Sequence, residues 1–457
     1  MNNRWKTAAA FLAILAYFLY FAREGVRTHF AADDMMNIGA YWTRGWWLTL
    51  LDNLRFWIAV RPLGGLFYMS LFRMFGLNPL PYRILALAFL FAGVWLSYLV
   101  AELLTKSRAI ALVTGIICCA HATMVDVYFG TDTIYDILAR FFSMLVLFLY
   151  IRIRDRGDIP SAWQASAMVL LFAAALDSKE ISVIIAGSVL TYEVMFHGWP
   201  RSWKREGLVP LLLIAFAAIY TAGKILGPNP LSNLEAYKIV LSKDRYLDNN
   251  LAYGKSFFYE FFFGSRGALL AIDLALLLLF SHRSAAVRWG AFFVLTATLP
   301  ISFIVTRGGS SLLLPLFGWA FLIPTLVASI WTPSWKYSKW AARISVAALL
   351  LVYLHRTIWY WKDQPQVFFK GQEKTWGVIT QLKELHFKPK PGSRVIVVND
   401  PWIDGWDMTF ISELAWDDPT VSITMSRRLP SPPGPEELAK YDSVLEFGAD
   451  GKLTLVR

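Results

Sequence analysis

Eleven apolar runs recur along the first 360 residues, with short polar turns between them. They cover residues 7–22, 82–104, 110–124, 137–151, 163–176, 181–196, 208–226, 268–280, 289–306, 312–330 and 341–359. Several approach the roughly 20 apolar residues that cross a bilayer as a helix. The pattern predicts a mainly α, polytopic membrane protein with about 11 transmembrane helices. The first run lacks a clear small-residue cleavage site, so it is expected to stay as an uncleaved span. Between the first two spans lies a long outer loop, residues 23–81. Its Tyr41-Trp42 and Gly45-Trp46-Trp47 predict a helix lying at the interface, where aromatic rings are favoured. Arg61-Pro62-Leu63-Gly64-Gly65 interrupts the loop, an apolar helix is expected over 66–75, and Gly76, Asn78, Pro79 and Pro81 make a turn. Residues 227–267 are polar, and the Phe-rich part, 257–263, is expected at the interface.

The character changes after residue 360. An amphipathic helix is expected over 374–385, a strand over 394–398 closed by Asn399-Asp400-Pro401, a helix over 408–416 and a strand over 421–425. A loop follows at 430–435. Residues 443–447 and 452–456, joined by Gly448-Ala449-Asp450-Gly451, predict a hairpin. The chain thus divides into a transmembrane domain, 1–360, and a small extracytoplasmic α/β domain, 361–457. The second has no GxGxxG, no P-loop and no metal-spaced Cys/His set.

Composition agrees with a membrane setting. Apolar residues make up 56% of the chain and charged ones only 17%, against about 25% in a soluble domain. The net charge of +11 does not imply nucleic acid, because the Lys and Arg sit in short turns. With a cytoplasmic N-terminus, all six basic turns fall on the cytoplasmic side, as the positive-inside rule requires. These are Arg4/Lys6, Lys106/Arg108, the Arg152 cluster, the Arg201 cluster, Arg283/Arg288 and the Lys336 cluster. An odd span count then places the C-terminal domain outside, in the periplasm if the membrane is a bacterial inner membrane. Cys118 and Cys119 are adjacent inside an apolar run and imply packing rather than a disulfide framework.

The outer face collects the chemistry. Ala31-Ala32-Asp33-Asp34-Met35-Met36-Asn37 puts two adjacent carboxylates just beyond the first span. Such a pair can act as a base, bind an acceptor or hold a cation. The same face carries Asp126, Asp136, Glu180, Arg61, Arg83, Lys179, Arg307 and His121. Polar groups beside a bilayer usually face a cavity. The cations suit a phosphate and the acids suit a hydroxyl to be activated. Each has a plainer reading: Asp126 and Asp136 as helix caps, His121 as a packing residue, Lys179 and Glu180 as a mutual pair, Arg307 as a snorkelling helix end.

In order, these motifs resemble the polytopic C-type glycosyltransferases, especially the protein O-mannosyltransferase superfamily and the transmembrane-tetratricopeptide O-mannosyltransferases. The resemblance covers residues 23–330. Asp33-Asp34 matches the acidic pair of the first outer loop. Arg61-Pro62-Leu63, Phe75-Gly76-Leu77-Asn78-Pro79 and Tyr82-Arg83 match one passage. His121, Asp126 and Asp136 match the spacing of a second, Ser178-Lys179-Glu180 with Tyr192-Glu193 a third, and Arg307 with Leu314-Pro315-Leu316 a fourth. Ala122 replaces the family's proline, Thr133-Ile134 replaces its Gly-Arg, and no tetratricopeptide array follows.

The resemblance implies transfer of a sugar from a polyprenyl-phosphate donor to a hydroxyl of a protein, lipid or glycan acceptor. Asp33 would take the acceptor proton and Asp34 would orient the acceptor or stabilise the cationic sugar. Arg61, Lys179 and Arg307 would hold the phosphate. No cofactor is required, although an acidic pair could hold a divalent metal. Two other readings stay open: a transporter or flippase of a lipid-linked sugar, and a non-catalytic assembly or sensor protein working through residues 361–457.

Overall fold

The computed structural model describes residues 4–52, 54–55, 61–228, 230–259, 264–330, 337–403 and 405–457. Residues 260–263, part of the Phe-rich stretch, and Lys336, part of a basic turn, lie outside them.

All eleven apolar runs contain helix, but they are unequal. Among the described residues, seven helical stretches are long and apolar enough to cross a membrane: Trp5–Gly25, Pro79–Thr105, Ile134–Asp155, Glu180–His197, Leu208–Leu226, Gly309–Ile330 and Trp340–Glu384. Arg108–Cys119, Ala162–Ser178 and Ala285–Ile301 are shorter, and Arg266–Leu278 has only 13 residues. At 1.5 Å per residue these four fall short of a ~30 Å hydrocarbon core. The causes are local. Helix Arg108–Cys119 stops because Ala120 and His121 turn to extended backbone. Ala285–Ala297 tightens into a 3-10 turn at Leu299–Ile301, where Pro300 cannot donate to the helix.

Helices Pro79–Thr105 and Ile134–Asp155 pack along each other at the centre, flanked by Arg108–Cys119 and Ala162–Ser178. Tyr98, Val94, Met144, Leu147 and Phe172 on these helices are buried in one core. At the basic end, Glu193 is buried and held by Arg154 at 2.6 Å and Tyr150 at 2.8 Å. Cys118 and Cys119 are buried and free.

At the other end, the outer loop is more helical than its sequence suggested. The acidic pair lies in the first turn of a helix, Ala32–Tyr41, rather than in a loop. Trp46–Asp52 forms the short aromatic helix, with Trp47 76% exposed. Pro62–Phe75 begins with Pro62 at the first helical position, where its missing N–H costs nothing. Gly64 and Gly65 follow because Tyr135 and Tyr41 lie flat against them; a Cβ at either glycine would strike a ring. In the polar stretch 227–267, a helix absent from the sequence reading, Lys243–Phe257, buries Leu247, Asn249, Tyr253 and Phe257.

The C-terminal residues build a four-stranded sheet from β1 (Arg394–Val398), β2 (Ser422–Met425), β3 (Ser443–Phe447) and β4 (Leu453–Leu455), in the order β2-β1-β3-β4. β1 runs parallel to β2 and β3, and β4 closes the expected hairpin antiparallel to β3. Helix Asp407–Trp416 makes the β1-to-β2 crossover and packs on helix Ala32–Tyr41. The backbone N–H of His29 donates to Gln372 at 3.1 Å, and the His29 ring stacks on Trp376 at 4.5 Å. The sheet unit therefore sits on the same face as the acidic pair, opposite the Arg154 end.

Candidate active site

Neighbouring positions on a helix point about 100° apart, and this separates the two acids. Asp34 turns inward and is fully buried. Its Oδ2 accepts the Ala31 N–H at 2.8 Å and its Oδ1 accepts the Thr131 hydroxyl. Arg83, itself 2% exposed, places Nη2 3.8 Å from Oδ2 and donates to the His29 carbonyl. Asp33 turns outward and is exposed. It has no hydrogen-bond or ion-pair partner among the described residues. One acid is thus a structural anchor and the other a free carboxylate on a fixed helix. Asp132 lies within electrostatic reach of both; its burial, then Asp34, Asp126 and Asp33, push its carboxyl well above the usual range.

The cations form a second group. Arg61, at the N-cap of Pro62–Phe75, grips Glu180 with two prongs, Nε to Oε1 at 3.3 Å and Nη2 to Oε2 at 2.9 Å. Its Nη2 also donates to the Tyr237 hydroxyl at 2.8 Å. The Tyr237 ring carries Arg307 at 4.5 Å, and Arg307 donates to the Ala236 carbonyl at 2.9 Å. Arg307 has no carboxylate partner among the described residues. Lys179 donates to Asp136 at 2.6 Å and to Ser311 Oγ at 3.1 Å.

Lys179, Glu180, Lys224, Tyr237, Arg307 and Ser311 form the polar end of a cavity of about 400 Å³. Leu299, Ile301, Phe303 and Ile304 are among its apolar walls. Such a cavity accepts an anionic head with an apolar tail. Arg61 adjoins it through Glu180 and Tyr237. The acidic pair does not line it; Arg61, Tyr135 and Asn37 stand between the two. Tyr135 donates to Asn37, one turn beyond Asp33, at 3.0 Å, while its ring lies 5.7 Å from the Arg61 guanidinium.

The other candidate residues separate. Asp136 and Glu180 serve as partners to Lys179 and Arg61. Lys179 and Glu180, adjacent in sequence, pair with different residues instead of each other. His121 lies apart: its Nε2 is 3.1 Å from the Phe257 carbonyl and its ring stacks on Tyr259 at 4.5 Å. Asp126 accepts the Ser310 N–H at 2.7 Å. Among the described residues no three His, Cys, Asp or Glu side chains are arranged to hold a metal ion. Sequence reasoning missed Lys224, Tyr237, Ser311 and Thr131. Lys224 left a signal, as the single charge in the apolar run 208–226; the others left none.

Two desolvated groups here give opposite pH slopes. Burial lowers the His121 imidazole to about 4. The unfolded chain then binds the proton more readily between about pH 6.5 and 4, so this contribution is lost as pH falls through that window. Burial, opposed by the Ser310 N–H and reinforced by Asp136, raises Asp126 to about 6. Here the folded state binds the proton more readily, so stability declines as pH rises from about 4 to 6. Asp126→Asn removes the second slope alone. Its melting temperature in detergent should climb more steeply than wild type between pH 4 and 6; parallel curves would contradict the assignment.

No protein-family model matches the chain, and no curated protein matches it by sequence. Two solved structures align with the chain. ArnT from Cupriavidus metallidurans, bound to undecaprenyl phosphate, aligns at 12% identity and TM-score 0.49, covering 93% of this chain and 86% of its own. An oligosaccharyltransferase from Archaeoglobus fulgidus, in complex with zinc and sulfate, aligns at 10% identity and TM-score 0.38, covering 79% and 53%. Both are distant likenesses.

Proposed function

We propose that this chain is a membrane glycosyltransferase of the C-type kind. It moves a sugar from a polyprenyl-phosphate carrier to an acceptor hydroxyl on the extracytoplasmic face, with the C-terminal unit on that face. The observation that carries the reading is the cavity of about 400 Å³, apolar along its walls and cationic at one end. A polyprenyl phosphate has the matching form: one phosphate and a long hydrocarbon tail. The four sequence passages and the acidic pair support the same chemistry.

In the reaction, the acceptor oxygen bonds to the anomeric carbon as the bond from that carbon to the phosphate oxygen breaks. The phosphate leaves with the electron pair. Arg307 and Lys179 meet the charge that grows on it, at the cationic end of the cavity. The Ala236 carbonyl with the Tyr237 ring and the Asp136–Lys179 pair fix these cations, so little reorganisation is needed. Asp33 takes the acceptor proton, being an exposed carboxylate with no other partner. The leaving phosphate needs no further base.

Arg307→Ala tests the donor end. A charge-assisted hydrogen bond contributes about 1.5–3 kcal/mol, so undecaprenyl phosphate should bind roughly 10- to 100-fold more weakly. Binding is measured to the purified protein in nanodiscs. Unchanged affinity would contradict the placement of the phosphate.

A further inference from the structure

We propose that a second outer-face pocket is the acceptor site and that it takes a saccharide. The inference rests on the glycosyltransferase reading. The pocket has about 480 Å³ and is lined by Thr123, Asp126, Gly309, Tyr360, Gln364 and Phe368, within the range of small-ligand sites.

Its aromatic walls are held in place before any ligand arrives. Tyr360 stacks on Tyr259 at 4.9 Å and 6°, and Tyr259 stacks in turn on His121 at 4.5 Å and 11°. The Tyr259 hydroxyl is fixed by Thr357 at 2.9 Å and by the Ala122 N–H at 3.2 Å. Phe368 stacks on Phe129 at 5.8 Å. This gives His121 a place as the foot of a ring stack.

The polar side of the pocket has an unmet need. Asp126 Oδ2 accepts the Ser310 N–H, but Oδ1 is buried with no partner among the described residues. Asp126 lines the pocket with this unmet acceptor just beneath the surface, and a turn of the carboxylate would bring it to a ligand hydroxyl. Gly309 keeps the wall thin there: its φ is +54°, and a Cβ would collide with the Asp126 carboxylate. A pyranose meets all these features, offering a C–H face to the rings and hydroxyls to Asp126 and Gln364. A hydrocarbon chain would leave both polar groups unpaired.

Position supports the role. Gly309 lines this pocket and Ser311 lines the donor cavity. Two residues apart, their Cα atoms are at most about 7 Å from each other. The two cavities share that short wall, with Asp126 bonded to its middle residue. An acceptor sugar here lies beside the donor phosphate, and residues from the junction with the C-terminal unit complete its site.

The test is saturation-transfer NMR on the full chain in a sugar-free detergent. Methyl glucoside, methyl mannoside and methyl galactoside are the probes. Wild type should transfer saturation to the ring protons of at least one. Asp126→Asn and Gln364→Ala should each weaken the signal roughly fivefold or more, the loss of about 1 kcal/mol. Arg307→Ala should leave it unchanged while weakening undecaprenyl phosphate, so failure of the donor reading is scored separately. Gln364 is partly exposed, so Gln364→Ala stays folded and decides the matter should Asp126→Asn not. No transfer to any glycoside, or equal transfer in wild type and Gln364→Ala, overturns the proposal.

Discussion

Asp33→Asn should lower the turnover of sugar transfer by about 10²- to 10⁴-fold, the usual contribution of a positioned base. The substitution keeps the size of the side chain and removes its basicity. Asp33 is exposed and makes no hydrogen bond or ion pair among the described residues, so melting temperature and undecaprenyl phosphate affinity should stay at wild-type values. The loss therefore falls on kcat, measured in proteoliposomes with a polyprenyl-phosphate sugar. A variant that transfers sugar at the wild-type rate would remove Asp33 from the mechanism.

Asp34→Ala should act on the fold instead. It removes the acceptor of the Ala31 N–H and the Thr131 hydroxyl, and it takes the ion-pair partner from the buried Arg83 guanidinium. Breaking one side of a buried pair costs on the order of 3–5 kcal/mol, a large share of the stability of most domains. The melting temperature in detergent should drop sharply. Replacing Arg83 as well, in Asp34→Ala/Arg83→Met, should cost less than the two single changes added together, since no charge is then stranded. Additive losses would show that the two side chains do not depend on each other. Adjacent residues of the same type are thus expected to fail differently, one in rate and one in stability.

That difference marks where the sequence stops being informative. Asp33 and Asp34 are chemically identical and one position apart. Which of them faces the interior depends on the phase of a ten-residue helix, and the string shows neither the helix nor its phase. Apolar periodicity was legible because it is a long signal: the helix Pro79–Thr105 is 27 residues long, and its partner on the same pattern is Ile134–Asp155. The strands of the C-terminal unit were legible from β-branched runs between turn residues. The parallel pairing of β1 with β2 and β3 was not, because register is set by partners far away in sequence.

The site divides the same way. Charged residues in an apolar chain announce themselves, so Lys179, Glu180, Arg61 and Arg307 could be picked out. Their pairing could not. Lys179 reaches Asp136 rather than its neighbour Glu180, because extended backbone at Lys179 sends the two side chains apart. Tyr237 joins Arg61 and Arg307 from a segment with no pattern at all, and Ser311 is one serine among many. His121 matched a family spacing, yet its place is under a stack of tyrosines, and only the packing of Tyr259 and Tyr360 shows that.

The central claim is that the cationic cavity seats the donor. A cryo-electron microscopy structure of the protein in nanodiscs with undecaprenyl phosphate tests it most directly. The phosphate should lie within hydrogen-bonding distance of Arg307 and Lys179, with the tail along Leu299, Ile301 and Ile304. Density for the lipid at the Arg154 end, or on the outer surface away from these two cations, would contradict the account.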